Sequence, residues 1–535
     1  MVLGFPREGH WLTAGAAASA VLAMVSPAEA QLTDSTQTVP NIPGSHIEKS
    51  LDEQVGAGHG DAFTPGSAVY LIKRDPARSI RRGRQIFQRK FTASQGVGPR
   101  VDMDSSGDIR ENRALGAGLS DSCAGCHGRP RGAAGFGGDV ATRPDSRDAP
   151  HLFGLGLQEM IADEMTTELR ATRAAALAAA ANAGAPVERR LVAKDVDFGA
   201  ITARPDGSVD TSRVDGVDDD LRVKPFFHHG GTISMREFIV GAFKAEMGLE
   251  AADEILCAVT DPDAPQPRTS PAGMTFDAAL DTFERPAVCD TTADGDADGI
   301  TNEIDTAVVD HLEFYFLNYF KPGQHKVSKG ARRGLETMKK IGCTSCHVQD
   351  MRIDTDRRVA DVTTEYDAKR GIFNRLFAEA ETLFDAHPDS EPYPQLLPAG
   401  GGFVVRNIFT DFKRHDLGPA FHEREYDGTY QTEFLTEALW GVGTTAPYGH
   451  DGRSISLEEV ILRHGGEAKK SRDRFAKLRG SDRRNVLEFL QTLVLFPPDD
   501  TASNLNPGVP GGDPQTQHGS IHLGALFQIA EEGGE

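Results

Sequence analysis

The sequence lacks several features, and each absence excludes a class of protein. Past its first 30 residues it has no hydrophobic run long enough to cross a bilayer, which argues against a membrane span. Basic residues are outnumbered by acidic ones, 57 to 79, and the net charge of −22 argues against nucleic-acid binding. That charge would suit a basic protein partner, although a solvated acidic surface is the simpler explanation.

The first 30 residues have the pattern of a secretory signal. Arg7 precedes an apolar run over residues 11–25, and Ala28-Glu29-Ala30 follows. This order of a basic, an apolar and a small-residue segment is typical of a signal peptide that is removed on export. We therefore expect a soluble periplasmic protein, in which residues 31–62 form an N-terminal extension and residues 499–535 a flexible tail.

Cysteine is also scarce, with six residues, and four of them lie in two copies of one pattern. These are Cys123-Ala-Gly-Cys126-His127 and Cys343-Thr-Ser-Cys346-His347. The remaining pair, Cys257 and Cys289, is predicted to form a disulfide, which would stabilise the fold by roughly 3 kcal/mol.

Three kinds of site use a CxxC pair, and the histidine that follows distinguishes them. A redox dithiol needs neither that histidine nor a second copy, and the βαβ context typical of such motifs is absent. One zinc site would require the two motifs to meet from 220 residues apart. Covalent haem uses every residue: two thioethers from the cysteines, and an axial imidazole from His127 or His347. We therefore expect two covalently bound haem c groups.

The motif belongs to a longer repeat. Four blocks occur twice in the same order, which predicts two homologous haem domains, at 63–325 and 326–498. In the last block His228 and His450 are equivalent. The paired blocks are "RRGRQIFQRKF" (81–91) and "RRGLETMKKIG" (332–342), the two CxxCH motifs, "HLFGLGL" (151–157) and "ALWGVGT" (438–444), and "HHGGTISMREFI" (228–239) and "HDGRSISLEEVI" (450–461).

Helix signals dominate between these blocks. We predict a mainly α fold of two tandem c-type cytochrome domains with irregular loops and a small β-hairpin insertion. The hairpin is expected in the Gly/Asp-rich segment 203–220, after an Ala-rich helix over 168–182. Residues 391–402 are expected to form a Pro/Gly loop.

A calcium-type loop covers residues 294–305, in the sequence DGDADGITNEID. Its glycine at position 6 supplies the required turn, and a helix is expected to follow. An acidic, solvated turn is the alternative interpretation. The expected ligands of one calcium ion are Asp294, Asp296, Asp298, the Ile300 carbonyl and Asp305.

Over residues 66–495 the chain resembles the bacterial di-haem cytochrome c peroxidase superfamily. It is most similar to the di-haem oxidoreductase branch, which is also labelled thiol oxidoreductase. Both CxxCH motifs carry the resemblance, together with "RDAPHLFGLGL" (147–157), "FFHHGGTISMREF" (226–238), "AEMG" (245–248), "TEALWGVGTTAPYGHDGRSISLEE" (436–459) and "RHGGEA" (463–468).

The resemblance implies a division of labour between the haems. The N-terminal haem, on His127, would react with hydrogen peroxide or another small oxidant, and the C-terminal haem would relay electrons. The family's acid–base glutamate falls on Glu246, where a carboxylate could shuttle a proton between peroxide oxygens. Without the resemblance, Glu246 would be interpreted as an exposed helix residue.

Two positions differ from the family pattern or stay open. His228 replaces a tryptophan that lies between the haems in the family's peroxidases. It could be a distal iron ligand, an acid–base partner, an interhaem hydrogen-bonding group or a solvent-facing side chain. His151 is a further distal-pocket candidate. Trp440 could relay electrons, although a buried packing role is the ordinary expectation for tryptophan.

The ligands of the second haem cannot include a later methionine, because none follows Met351. The repeat favours His450 as the second iron ligand beside His347. The alternatives are His415, His464 and Tyr448. We therefore expect a bis-histidine, low-potential second haem.

These observations together predict a periplasmic di-haem enzyme that reduces hydrogen peroxide with electrons from a small cytochrome c or cupredoxin. One alternative is a di-haem oxidase or oxygenase that acts on an organic or protein substrate. The other is a non-enzymatic electron-transfer cytochrome.

Overall fold

A computed structural model describes residues 51–97, 121–127, 138–139, 145, 147–295, 299–318, 323–366, 376–391, 393–425 and 427–495. The predicted signal peptide, the extension up to residue 50 and the predicted tail lie outside these residues. Contacts divide the chain into two units, residues 1–53 and Gln54–Glu535. Of the first unit, residues 51–53 are described.

Twelve α-helices occur in the described chain. They are α1 (Leu51–Val55), α2 (Ala68–Arg74), α3 (Pro76–Gln88), α4 (Cys123–His127), α5 (Leu155–Ala183), α6 (Met235–Ala242), α7 (Glu254–Val259), α8 (Thr306–Leu317), α9 (Lys329–Ile341), α10 (Leu457–Arg463), α11 (Lys469–Ala476) and α12 (Gly480–Leu490). None of these helices has the length and apolar character that a membrane span requires.

Serine and aspartate side chains explain where many of the helices begin. Each accepts a hydrogen bond from a backbone N–H of the first turn, which has no partner within the helix. The residues in this position are Ser67, Asp75, Ser234, Asp253, Asp305, Ser328 and Ser456.

Nineteen short strands lie between the helices of the described chain. They are β1 (Gly138–Asp139), β2 (Arg147–Asp148), β3 (Val187–Ala193), β4 (Val196–Ala203), β5 (Val209–Val214), β6 (Arg268–Thr269), β7 (Thr275–Phe276), β8 (Gly323–Gln324), β9 (Met351–Ile353), β10 (Ala360–Tyr366), β11 (Leu376–Thr382), β12 (Phe384–His387), β13 (Gln395–Pro398), β14 (Phe403–Val405), β15 (Arg414–Asp416), β16 (Glu423–Arg424), β17 (Tyr430–Gln431), β18 (Glu433–Leu435) and β19 (Leu493–Val494).

The prediction of a mainly α fold with two c-type cytochrome domains is wrong, because the structure mixes α and β elements. The strands pair antiparallel in nine small sheets of the described chain, of which only β3-β4-β5 has three strands. Many strands have two or three residues, too few to give an alternating pattern that a sequence could reveal. Their pairing is therefore set by tertiary contacts, and the domain boundaries stay predictions.

Three predicted helical segments and the predicted hairpin form in the structure, whereas one predicted loop is partly a strand. The Ala-rich segment is helical within α5, and α3 and α9 form where the repeat predicts amphipathic helices. The chain turns back between β4 and β5 in the expected hairpin segment. The loop expected over 391–402 is partly wrong, because residues 395–398 form β13 and pair with β12.

The two copies of the His-Gly block fold alike. An isolated antiparallel bridge joins Phe226 to Thr232 in the first copy, and an equivalent bridge joins Tyr448 to Ser454 in the second. In each copy a serine then caps the next helix, and a glutamate three residues later accepts a hydrogen bond from the backbone just before that serine. This reciprocal cap fixes the entry into α6 and α10 in the same way.

Cys257 and Cys289 are joined by a disulfide, which confirms the predicted pairing. In the calcium-type loop, Asp296 and Asp298 lie outside the described residues. Asp294 accepts a hydrogen bond from the Gly299 N–H, and Asp305 caps α8. Calcium binding by this loop stays a prediction.

A buried ion cluster ties three helices together behind the loop. The Arg236 guanidinium on α6 is fully buried and forms a two-bond pair with Asp253, at 2.9 and 2.6 Å. It also donates to Asp310 at 2.9 Å and to Glu313 at 2.8 Å, both on α8. His59 contacts the other Asp310 oxygen at 2.6 Å. Arg236 is thus the counter-charge that all three buried carboxylates share, and His59 adds a second contact to Asp310.

We expect Arg236→Met to lower the free energy of unfolding by about 3–5 kcal/mol, because it removes the counter-charge that the three buried carboxylates share. Urea unfolding followed by circular dichroism measures the change. Arg213→Met is the matched control, because Arg213 forms an exposed pair with Glu188 and its loss should cost less than about 1 kcal/mol. Equal effects of the two substitutions would contradict this account of the cluster.

Candidate functional site

Both CxxCH motifs line one cavity of about 910 Å³. The first motif forms α4, and the second forms a 3₁₀ turn over Cys343–Ser345 directly after α9. Gly342 makes that junction with a φ of +94°, a conformation that suits glycine. The two motifs, 220 residues apart in the chain, therefore share a single internal space.

The four motif cysteines form no disulfides in the structure. Burial raises the pKa of the Cys123 thiol to about 12 and that of Cys343 to about 11. A reactive dithiol needs a lowered thiol pKa, so these shifts argue against redox chemistry at the sulfurs themselves. Both motifs remain suited to thioether attachment.

The motif histidines are held in the same way. Nδ1 of His127 donates to the Pro150 carbonyl at 2.7 Å, and Nδ1 of His347 donates to the Phe409 carbonyl at 3.0 Å. Burial lowers the pKa of both rings, so each is neutral with its proton on Nδ1. Nε2 is then left with a lone pair, which is how proteins orient a histidine that binds a metal.

His464 has the same arrangement. It lines the cavity beyond α10, and its Nδ1 donates to the Val460 carbonyl at 2.7 Å. Burial lowers the pKa of His464 to about 4, which keeps the ring neutral. The ring packs edge-on against Phe421 at a centroid distance of 5.3 Å. His464 therefore combines burial, neutrality and an Nε2 lone pair.

Other candidate ligands use their polar atoms in protein hydrogen bonds. His151 donates from Nε2 to the Trp440 carbonyl at 2.9 Å and accepts from the Phe153 N–H at 3.2 Å. His415 contacts Asp411 through Nε2 and Glu467 through Nδ1, at 2.9 and 2.8 Å. The Tyr448 hydroxyl donates to the Val442 carbonyl at 2.8 Å.

His228 and His450, equivalent in the repeat, lie side by side with ring centroids 5.9 Å apart. Nδ1 of His228 contacts Glu437 Oε1 at 2.7 Å, and Nε2 lies 3.3 Å from the Asp148 carbonyl. The His450 ring stacks on Phe434, with centroids 4.0 Å apart. The structure thus brings together two sequence-predicted residues and adds a carboxylate partner to one of them.

The pKa values of the two rings are shifted in opposite directions. Burial alone would lower the pKa of His228, but the hydrogen bond and the charge of Glu437 outweigh burial and raise it. Burial lowers the pKa of His450 to about 3, and the positive charge of His228 contributes. Burial also raises the pKa of the neighbouring Asp148 to about 6. One imidazole of the pair is thus disposed to hold a proton, while the other stays neutral.

Trp440 is buried where the two repeats meet. Its indole N–H lies 3.5 Å from the Arg406 carbonyl, and its ring packs against Gly154. A Cβ atom at Gly154 would come within 2.4 Å of the indole, and φ at this glycine is +76°. The contact therefore joins the "HLFGLGL" block of one copy to the "ALWGVGT" block of the other.

Glu246 lies in a π-helical turn over Phe243–Met247 that extends α6 and lines the same cavity. Such turns insert an extra residue into a helix and are frequent at functional sites. The side chain is partly exposed. The structure therefore places the predicted acid–base glutamate in the lining of the cavity that His127 also lines.

Sequence reasoning missed the carboxylates around the histidine pair. Glu437 contacts His228, and the buried Glu423 forms a bidentate pair with Arg147 and lies 3.8 Å from His450 Nε2. Arg147 and Glu437 lie within the stretches that resemble the family, which is the signal that could have identified them. Glu423 lies outside these stretches, and no sequence signal points to it.

Residues 404–493 match the family described as "Di-haem oxidoreductase, putative peroxidase". This segment contains Trp440, His450 and His464 and ends before the predicted tail. The match confirms the resemblance to di-haem oxidoreductases and supports a haem-binding oxidoreductase.

Among solved structures, the chain has a weak match to "Kuenenia stuttgartiensis Hydrazine Synthase Pressurized with 20 bar Xenon". The identity is 12% and the TM-score 0.33, over 85% of this chain and 99% of that one. A TM-score of this size carries no argument about fold or activity. No curated protein matches the chain.

We expect Gly154→Ala to lower the free energy of unfolding by at least about 2 kcal/mol, because it adds a methyl group against Trp440 and strains a left-handed backbone. Urea unfolding measures the change. Gly184→Ala is the matched control: its φ is +61°, but nothing lies within 4 Å of the added atom. It should cost only about 1 kcal/mol of backbone strain. Equal losses would show that the indole contact contributes nothing.

Proposed function

We propose that the chain is an exported di-haem c-type oxidoreductase that reduces hydrogen peroxide to water. The supporting observation is that both CxxCH motifs, with their histidines held by backbone carbonyls, line a single cavity. The match of residues 404–493 to di-haem oxidoreductases supports the same class.

The residues of the cavity fit two covalent haem groups. Cys123 and Cys126 would attach one through thioethers, and Cys343 and Cys346 the other. His127 and His347 would bind the irons through Nε2, since Nδ1 of each is already used. When bound, the two haems supply iron centres that change oxidation state, and so deliver electrons one at a time.

Peroxide reduction consumes two protons and two electrons for each pair of water molecules formed. Glu246 would accept the proton of a peroxide oxygen at its carboxylate and return it to the departing oxygen. His228, whose pKa is raised by Glu437, would hold a second proton inside the same cavity. Trp440, which lies between the repeats, would be an electron relay as well as a packing residue.

We propose His464 rather than His450 as the second protein ligand of the C-terminal haem. The support is that His464 shares with His127 and His347 an Nδ1 bonded to a backbone carbonyl. His450 instead stacks on Phe434 and lies beside His228, whose pKa is raised by Glu437. The bis-histidine, low-potential haem expected from the sequence would then be His347–His464.

We also propose a location, an electron donor and a calcium site for the protein. The N-terminal pattern supports export to the periplasm, where thioether attachment of haem takes place. The electron donor would be a small redox protein such as a cytochrome c or a cupredoxin. The loop at 294–305 would bind one calcium ion, with Asp294 and Asp305 among its ligands.

The function is tested with haem-loaded protein, after a pyridine haemochrome assay has established two haems per chain. We expect one molecule of hydrogen peroxide to reoxidise the two reduced haems of one chain. Stopped-flow absorbance measures the rate of this reaction. Glu246→Gln should lower the second-order rate constant by about 10²–10⁴-fold, because the neutral amide cannot accept a proton. Glu188→Gln is the matched control, since Glu188 is exposed on β3 outside the cavity, and it should react like the parent.

If peroxide oxidises neither the half-reduced nor the fully reduced protein, the peroxidase proposal is wrong. Turnover of an organic or protein substrate under those conditions would favour the oxidase alternative. If the spectra show no high-spin haem at any stage of reduction, they would favour the alternative of a non-enzymatic electron-transfer cytochrome. An unchanged rate in Glu246→Gln would remove that residue from the mechanism.

The ligand proposal is tested by optical and magnetic spectra of the oxidised protein. We expect His464→Ala to convert one low-spin haem to high spin, and added imidazole to restore the low-spin signal. His450→Ala should leave that haem low-spin. The reverse result would make His450 the ligand, and a far-red sulfur-to-iron band in the parent protein would exclude bis-histidine ligation.

A further inference from the structure

The positive charge of this acidic chain is concentrated on one group of helices. The segments 326–341 and 469–490, which contain α9, α11 and α12, carry fourteen Lys or Arg residues and only four Asp or Glu. The net charge of the whole chain is −22. The rest of the chain is therefore even more acidic, and these two segments, called the basic face below, stand apart from it.

The three helices pack into one body around the second CxxCH motif. Gly334 of α9 lies against the backbone of Asn485 in α12, where a Cβ atom would come within 1.9 Å. Arg474 of α11 donates to the Ile341 carbonyl, the last residue of α9, at 3.1 Å. Met338, Phe475 and Phe489 belong to the shared hydrophobic core. Residues distant in sequence are thus joined in space.

Most of the positive side chains point to solvent. Twelve of the fourteen are exposed, and only Arg472 and Arg483 are partly buried. The acidic residues are largely used in local pairs, such as Asp473 with Lys469 and Asp482 with Arg479. Nine cations make no ion pair within the described part of the chain: Lys326, Lys329, Arg332, Arg333, Lys340, Lys470, Arg474, Lys477 and Arg484.

The basic face adjoins the attachment point of the second haem. Lys339 and Lys340 stand just before Gly342 and Cys343 in the chain. From α11, Ser471 and Arg472 line the same cavity as Cys343 and Cys346. Ser345, between the two cysteines, is exposed. The cysteine edge of the second motif thus reaches the surface among lysines and arginines.

We propose that the basic face is the docking surface for an acidic redox protein that delivers electrons to the C-terminal haem. This inference rests on the proposed function, and it reverses the partner charge that the overall −22 would suggest. Opposite charges on two proteins steer their encounter and raise the association rate. The partner must also bind close to Cys343 and Cys346, because electrons would have the shortest route to the haem there.

An acidic protein fits this surface better than an anionic membrane. A helix that inserts into lipid presents large apolar side chains beside its charges. Within the described residues, α9, α11 and α12 carry no exposed large apolar side chain. Leu462, on the adjoining α10, is only 37% exposed. The basic face offers charge without an apolar anchor, which suits a reversible protein encounter.

The proposal is tested by reducing the haem-loaded protein in a stopped-flow instrument with reduced plant-type ferredoxin, an acidic protein of low potential. We expect the second-order rate constant to fall steeply with salt. The combined variant Lys339→Gln, Lys340→Gln, Lys469→Gln and Lys470→Gln should react at least about tenfold more slowly at low ionic strength, with a weaker salt dependence.

A second quadruple variant removes the same charge elsewhere. Arg189→Gln, Arg190→Gln, Arg204→Gln and Arg213→Gln are exposed on or beside β3–β5, and their combination should react within about twofold of the parent. The methyl viologen radical cation serves as a small positive reductant. Its rate should not fall in the Lys→Gln variant, which shows that the second haem remains intact and accessible.

Several outcomes would overturn the proposal. It fails if both quadruple variants slow ferredoxin equally, or if neither does. It also fails if the Lys→Gln variant loses only co-sedimentation with vesicles of phosphatidylglycerol and phosphatidylcholine, because the face would then bind lipid. A haemochrome assay with fewer than two haems would instead reject the proposed function, so the two failures are distinguishable.

Discussion

The arrangement of the site depends on hydrogen bonds from imidazole Nδ1 atoms to backbone carbonyls. A free histidine distributes its proton between two nitrogens and rotates about two bonds. At His127 and His347, the carbonyls of Pro150 and Phe409 fix both the tautomer and the ring plane. These acceptors are main-chain atoms, so their positions are set by the fold itself and not by a neighbouring side chain that could turn away.

The duplicated block produces a second structural feature, the contact between equivalent histidines. Both copies fold with the same bridge and the same serine cap, so His228 and His450 occupy matching places. Their rings also lie next to each other, with centroids 5.9 Å apart. Their surroundings nonetheless differ: Glu437 raises the pKa of the His228 ring, while burial lowers that of the His450 ring, which stacks on Phe434. Two equivalent residues of the repeat thus lie together with pKa values shifted in opposite directions.

The sequence was most informative where chemistry fixes the spacing of residues. Both CxxCH motifs, the helices α3 and α9, the Cys257–Cys289 bond and the repeat could be read directly from residue types and intervals. The fold class could not, because two- and three-residue strands such as β2 and β16 are created by contacts between distant segments and leave no periodicity. Similarly, Glu423 approaches His450 only through the tertiary fold.

The contact of Gly154 with Trp440 bears on how the two repeats relate to each other. The equivalent glycine of the second copy, Gly441, faces Leu495 instead, so each copy has adapted to a different neighbour. The two copies are therefore not interchangeable. Gly154 packs against an aromatic ring and Gly441 against an aliphatic side chain, so a chain built from two identical copies would lose the fit at one of the two glycines.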